Sequence, residues 1–450
     1  MPVRAGGEWP PRAKCEMASG MRSSKPHRRG PQRPSGPEPE TEVDILDMGG
    51  EGDGLAEGPV YVPFTLPGER ARVRGRGDRR ELVDLLSASP ERVEPPCPHF
   101  GACGGCALQH WDMGAYLAWK RERLIGTLAR QHIETDVLPI FASPPASRRR
   151  VALHARKGSR EAARLGYKMR ASWDLVAIEA CPIADPRIVA ALPALRRLAA
   201  PLFEHPKSAP TLHVTLTDEG LDVDISGVER KSGGLSADGR MSLAQAAAEG
   251  GLARVSLDGE IAYMDQQAPS VRLGPARVFL PPGAFLQATP QAEVAMRDFV
   301  VEAAAGATQI ADLYCGVGTF TFALAEIAPV YAADGAAEAV RALTAALAGA
   351  PGLKGVRAEA RDLVRRPMLA EELRKTDVAV FDPPRAGAAE QAAEIARSGV
   401  ARAIGVSCNP ATFGRDARLL IEAGFRLVRV LPVDQFLWSP HVELVGVFER

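Results

Sequence analysis

The segment SCNPATFGRD, residues 407–416, sets one cysteine between a serine and an asparagine–proline pair. The apolar run before it, RAIGVSC, reads as a strand, which places Cys408 at a strand end where a ligand could reach its sulfur. A free thiol has a pKa of about 8.5 and is little ionised at neutral pH; a helix beginning around Ala411–Phe413 would favour the thiolate. A buried, inert cysteine is the alternative. Glu443 is the second unusual residue, because it interrupts the apolar run HVELVGVFE in what is expected to be a central or near-central strand. A buried carboxylate is costly unless it is paired or employed.

Two further strand ends belong with these. DLYCGVGTFTFALA, residues 312–325, is an apolar strand, a glycine turn and a helix; VYAAD then closes on Asp334, where a carboxylate can bond both hydroxyls of a ribose. Gly316 and Gly318 are present, but Thr321 occupies the third glycine place of a pyrophosphate loop. The turn therefore suits a nucleoside cofactor without phosphates, S-adenosylmethionine; a purely structural turn is the plain alternative. FDPPRAG, residues 381–387, ends another strand, and its two prolines hold the backbone after Asp382 extended, facing the same crevice. A thiolate, a carboxylate and a methyl donor define one chemistry. The thiolate adds to C6 of a pyrimidine, C5 takes the methyl group, and Glu443 removes the C5 proton so that elimination frees Cys408.

The other cysteines are unevenly spread. Of seven in the chain, Cys97, Cys103, Cys106 and Cys181 fall in one stretch. The start has no apolar signal core, so a reducing, cytoplasmic setting is expected, and metal binding outranks disulfides. Four thiolates suit a [4Fe–4S] cluster or tetrahedral zinc. Between the third and fourth lies a run, residues 148–170, with nine Lys/Arg and one acid. On a hairpin tied to the cysteines, it is expected to meet RNA phosphates, with Trp173, Tyr167 and His154 available to stack on unpaired bases. A solvated face is the plain alternative.

The elements that position these residues divide the chain into four parts. Residues 1–40, rich in Pro, Gly, Ser and Arg, read as a disordered tail. Residues 41–93 alternate short β-prone runs with Gly and Pro turns, giving a small barrel with strands near 43–47, 59–63 and 70–74 and a basic rim from Arg70 to Arg80. Residues 94–284 begin with the cysteines and a helix whose apolar face is Tyr116, Trp119, Leu124 and Leu128; they continue as a mostly antiparallel sheet with a helix near 186–203. Residues 285–450 alternate apolar strands with Ala-rich helices, the pattern of a parallel sheet covered on both faces. The last two strands have no helix between them, so the final one is expected to run antiparallel. The 450 residues carry no net formal charge, with 46% hydrophobic and 24% charged residues, and no apolar run reaches the ~20 residues of a membrane span.

Together DLYCGVGTF, FDPPR, SCNPAT and HVE, in that order and spacing, resemble the RNA uracil-5-methyltransferases over roughly residues 41–450. The resemblance implies an α/β enzyme. Its parts would be a C-terminal Rossmann-like S-adenosylmethionine methyltransferase sheet, an N-terminal OB-like TRAM barrel, and a central antiparallel β domain with a four-cysteine iron–sulfur site. It assigns Cys408 as nucleophile and Glu443 as base. It matches Gln287, Tyr314, Asp334 and Asp382, with Asp362, to the cofactor pocket, and Cys97, Cys103, Cys106 and Cys181 to a [4Fe–4S] cluster, zinc being the alternative. Thr289 and Thr319 stand where the family often has Asn. The expected partner is RNA, 23S ribosomal RNA before transfer RNA, and the expected state is a monomer off the membrane. Three rivals differ. A radical methylthiotransferase needs a tight C-x3-C-x2-C that is absent here; a cytosine-5-methyltransferase needs a second cysteine where Arg385 stands; a non-catalytic RNA-binding or ribosome-assembly factor has no use for Cys408 and Glu443.

Overall fold

The computed structural model describes residues 38–231 and 234–450; the tail expected over residues 1–40 lies almost wholly outside the described residues. Its largest sheet is the one that carries the strand-end motifs. In spatial order its strands are Val356–Ala360, Val330–Asp334, Ile310–Leu313, Val378–Phe381, Arg402–Ser407, Glu443–Glu449 and Arg426–Asp434. The first five pair in parallel, and Glu443–Glu449 pairs antiparallel with both neighbours. The order in which strands are added reverses at Ile310–Leu313, the switch point at which ligands bind in doubly wound sheets. Two short segments of the central region, Asp136–Val137 and Phe141–Ala142, extend the far edge. The four residues of Ile310–Leu313 and of Val378–Phe381 are all buried, as a sheet covered on both faces requires.

The central region forms a seven-stranded sheet from Leu175–Ala177 to Glu260–Met264, antiparallel except where Gly220–Ser226 lies parallel to Arg254–Leu257. That parallel step is bridged by the helix Ala237–Glu249, which the sequence reading misses. Its only large apolar core residue is Leu243, too sparse a stripe to signal a helix. The helices Pro186–Ala190 and Leu192–Ala199 fall where one is expected. The helix Met113–Ala129 buries Tyr116, Lys120, Leu124 and Leu128, so Lys120 takes the core place expected for Trp119.

Residues 40–87 form a five-stranded sheet in the order Val60–Pro63, Asp53–Ala56, Glu40–Met48, Arg70–Arg74, Glu81–Ser87. A bridge from Tyr61 to Arg79 curls its two ends together. The basic rim expected here is largely neutralised: Arg70 pairs with Glu42 at 2.9 Å, Arg74 with Glu40 at 2.7 Å and Arg79 with Asp53 at 3.1 Å. Residues 40–450 form one compact unit, and among the described residues no helix is long and apolar enough to cross a membrane.

Candidate active site

The parallel strands and the reversed Glu443–Glu449 strand open onto one cavity of about 1080 Å³. Cys408 and Glu443 both line it, as do Gln287, Tyr314, Asp334, Asp362 and Asp382. All seven residues that the sequence assigns to catalysis or the cofactor pocket therefore meet at one place, although they come from segments up to 156 positions apart. Parallel strands deliver residues at their C-terminal ends. Glu443 opens its strand, and reaches the same edge only because that strand runs backwards.

Cys408 follows Ser407 directly and precedes the helix Pro410–Glu422, capped by Asn409, whose side chain accepts the Ala411 N–H at 3.1 Å. The expected depression of its pKa by this helix does not win. Burial raises the thiol, and the carboxylates of Glu443 and Asp382 raise it further against the pull of Arg385. Arg385 also ties the two loops together, since its carbonyl accepts from the Asn409 side chain at 3.3 Å and Thr412 Oγ at 3.2 Å.

Glu443 is only 4% exposed, and burial together with Asp382 holds its carboxyl well above the usual range. Asp382 is raised by burial and by the Asp334 carboxylate, opposed by a hydrogen bond from Gln287 Nε2 at 3.1 Å. Two buried carboxylates in mutual repulsion favour keeping a proton between them. Asp334 accepts the Gly316 N–H at 2.9 Å and the Ala336 N–H at 2.7 Å, which fixes its carboxylate beside the glycine turn. Tyr314 sits in the left-handed region at φ 62°, a strained conformation for a non-glycine residue at the mouth of the turn. Asp362 caps its own loop, accepting from Val364 and Arg365 N–H groups.

Two buried features near the site escape the sequence reading. Asp312, buried at the end of Ile310–Leu313, accepts from Thr321 Oγ at 2.6 Å through one oxygen and leaves the other without a protein partner; burial pushes it up to about 7. An acid closing an apolar strand is a signal that could have found it. Gln435 bonds at once to Glu443, Gln287 and the Ala288 backbone. Thr289, one of the two departures from Asn, caps the helix Pro290–Ala303 and shares a 2.8 Å hydrogen bond with Ser143. Thr319 lines the cavity.

Cys97, Cys103, Cys106 and Cys181 line a second, smaller cavity of about 380 Å³. All six described cysteines are free thiols. Burial pushes Cys106 up to about 12 and raises Cys103, whose sulfur accepts the Gly105 N–H at 3.4 Å. Among the described residues no three His, Cys, Asp or Glu side chains stand close enough to hold a single metal ion. Gly104 lets this loop lie against the strand Arg164–Lys168: its N–H bonds the Lys168 carbonyl at 2.9 Å, and an added Cβ would lie 2.8 Å from that oxygen.

The basic run behaves in two ways. Arg149 is buried, donating to the Gln287 carbonyl at 3.0 Å and paired with Glu293, and Arg150 donates to the Leu286 carbonyl at 2.9 Å. Tyr167 is half-buried, packed against the core of the central region and lining the cysteine cavity, and His154 is half-buried on Thr211. Trp173 is 77% exposed, with the Lys168 ammonium 3.8 Å from its ring centre.

A thiol, a buried carboxylate and a ribose-height aspartate at the switch point of a doubly wound sheet define a nucleoside-cofactor enzyme of the methyltransferase class. The tRNA (Uracil-5-)-methyltransferase family profile matches residues 278–450. An uncharacterized RNA methyltransferase of Caulobacter vibrioides is 64% identical over 91% of this chain and 100% of its own length. The 23S rRNA (uracil(1939)-C(5))-methyltransferase RlmD of Chromohalobacter salexigens is 31% identical over 91% of this chain and 89% of its own. The fold matches Pyrococcus abyssi tRNA (uracil-54, C5)-methyltransferase, solved with S-adenosyl-L-homocysteine, at TM-score 0.68 and 24% identity, covering 90% of this chain and 99% of that one. The chain belongs to the RNA uracil-5-methyltransferase family.

Proposed function

We propose that this enzyme methylates C5 of a specific uridine in 23S ribosomal RNA, with Cys408 as the nucleophile and Glu443 as the base. The observation that carries this reading is the meeting of both residues in one cavity with Asp334, Asp362 and Tyr314. S-adenosylmethionine, when bound, supplies an electrophilic methyl group. The residues of the glycine turn fit it, since Asp334 is held by backbone N–H groups at the height of a ribose and the turn makes no phosphate cradle. Asp362 and Tyr314 border the same space.

The target uridine leaves its stack to enter the cavity. Cys408 loses its proton and its sulfur bonds C6, which moves the C5–C6 electron pair to C5. C5 uses that pair to bond the donated methyl carbon, whose bond to the donor's sulfonium sulfur breaks and leaves a neutral thioether. Glu443 then takes the C5 proton; that C–H pair re-forms C5=C6 and expels Cys408 as thiolate. Both groups act deprotonated, and both have raised pKa values, so the rate is expected to climb as pH rises through and above neutrality.

The choice of 23S RNA rests on the relative of that specificity, which aligns over most of both chains. Residues 41–93 are read as a TRAM barrel on the same resemblance. The four cysteines are proposed to hold a [4Fe–4S] cluster. Four thiols around about 380 Å³ leave room for a bulky inorganic core. A fully ligated cluster would serve the fold and the RNA face.

Labelled methyl donor is to be incubated with unmodified 23S and transfer RNA transcripts, followed by mass-spectrometric mapping. Label at C5 of one uridine in 23S RNA is expected; label confined to transfer RNA would overturn the substrate assignment. Glu443→Gln is expected to trap a covalent protein–RNA adduct resistant to denaturation, and free protein alone would remove the base role.

A further inference from the structure

Gln435 lies in the turn after Arg426–Asp434 and is 2% exposed. Its hydrogen bonds fix which end of the amide is which. Ala288 N–H can only donate, and it donates to Oε1 at 2.8 Å. Nε2 must therefore carry the two protons, one directed at Glu443 Oε2 at 2.8 Å and the other at Gln287 Oε1 at 2.9 Å. With its oxygen occupied as acceptor, Gln287 presents Nε2 to Asp382 Oδ2 at 3.1 Å. The result is a one-way relay of amides that begins at a backbone N–H and ends on the two carboxylates of the cavity.

The relay has a firm anchor. Asp434, the preceding residue, is fully buried and bonds Lys120 Nζ at 2.6 Å and Tyr116 hydroxyl at 2.6 Å. The Phe436 N–H returns to Asp434 Oδ1 at 3.1 Å. Gln435 thus sits between two residues that are held by the helix Met113–Ala129. Glu443 faces Asp382, just past the strand Val378–Phe381, which with burial disfavours its charge, and Cys408, just past the strand Arg402–Ser407, whose ionisation Glu443 in turn opposes; Gln435 supplies the opposing hydrogen bond.

We infer that Gln435 is a positioning residue, which aims the Glu443 carboxylate at the C5 proton and keeps it able to ionise. The inference rests on the reading of Glu443 as base. A hydrogen bond to a charged group is worth a factor of about ten to a hundred. Its loss is expected at one step, the final elimination, and not at adduct formation.

The test uses Gln435→Met, which keeps the volume but removes the donors, beside Glu443→Gln and wild type, on whichever unmodified 23S or transfer RNA transcript the wild type methylates. In single turnovers, Gln435→Met is expected to load labelled methyl into a denaturation-resistant adduct at the wild-type rate and to release product about ten- to a hundredfold more slowly. The rising limb of its pH–kcat profile moves to higher pH, because the carboxylate has lost a bond that favours its ionised form. Gln435→Glu, which keeps an acceptor for Ala288, shifts that limb further and serves if the methionine variant does not fold. Should Glu443→Gln trap adduct while both Gln435 variants release product at the wild-type rate and pH profile, the positioning role is overturned alone. Should Glu443→Gln trap none, the base assignment falls and this inference with it.

Discussion

The two cavities of this enzyme share a wall but are held in different ways. Arg148, Val151, Ala152 and Phe436 line both. In the larger one, the reactive groups are oriented by protein: Glu443, Gln287 and Asp382 by the amide relay, Asp334 by two backbone N–H groups, and Asn409 by its own cap. In the smaller one, three sulfurs come from one loop and the fourth, Cys181, from a distant segment, and Cys103 and Cys106 are raised by burial. The first arrangement is preorganised for chemistry before any ligand arrives. The second draws its coherence from whatever its thiols bind in common. The turn that follows the shared Phe436 passes through Trp438, which holds φ 57° and whose carbonyl accepts N–H groups of both Ala107 and Leu108 from the cysteine loop. Five residues on, the same turn delivers Glu443.

Breaking the preorganised side has the largest expected effect. Cys408→Ala is expected to lower methyl transfer by more than about 10⁴-fold while donor affinity by calorimetry is unchanged; retained turnover would falsify the nucleophile. Breaking the other side should read differently. Cys106→Ser is expected to lower Tm by several degrees and to cut turnover through the turn that carries Phe436 and His441, with donor affinity kept, since Asp334 and Asp362, the residues proposed to hold the donor, line only the larger cavity. Equal loss of donor binding would erase the distinction between the cavities. Iron analysis of anaerobically purified protein sharpens it: about four irons per chain are expected for a [4Fe–4S] cluster, and stoichiometric zinc without iron reverses that assignment. The smallest effect lies outside both. Trp173→Ala is expected to weaken RNA binding by about 1 kcal/mol, some fivefold, through one lost stacking platform, with Tm and donor affinity unmoved. An unchanged RNA Kd would return Trp173 to an idle surface residue.

What the sequence conveyed well was whatever sits at a strand end. Cys408, Asp382 and Asp334 each close an apolar run, and a parallel sheet brings such ends to one edge by topology alone. The reversal of Glu443–Glu449 was also legible, because no helix separates it from the strand before. Contacts between distant segments were not. Lys120 reads as a charge on a helix surface, yet it is buried because Asp434, 314 positions later, meets it. Gln435 carries no periodic signal, as its partners are fixed by side-chain geometry. The strands Asp53–Ala56 and Glu81–Ser87 escaped for another reason. The first is four residues long, and the second, ELVDLLS, has no buried residue to betray a period of two.

The reversed strand has a consequence for how the enzyme is made. Glu443–Glu449 is wedged between Arg402–Ser407 and Arg426–Asp434, so the sheet has a gap in its middle until that stretch is synthesised, after every other strand. A partly translated chain would carry sulfur 408 but neither its counterpart acid nor a closed sheet around it. On the proposed mechanism, the chain is in this way kept from taking hold of RNA before it is able to let go.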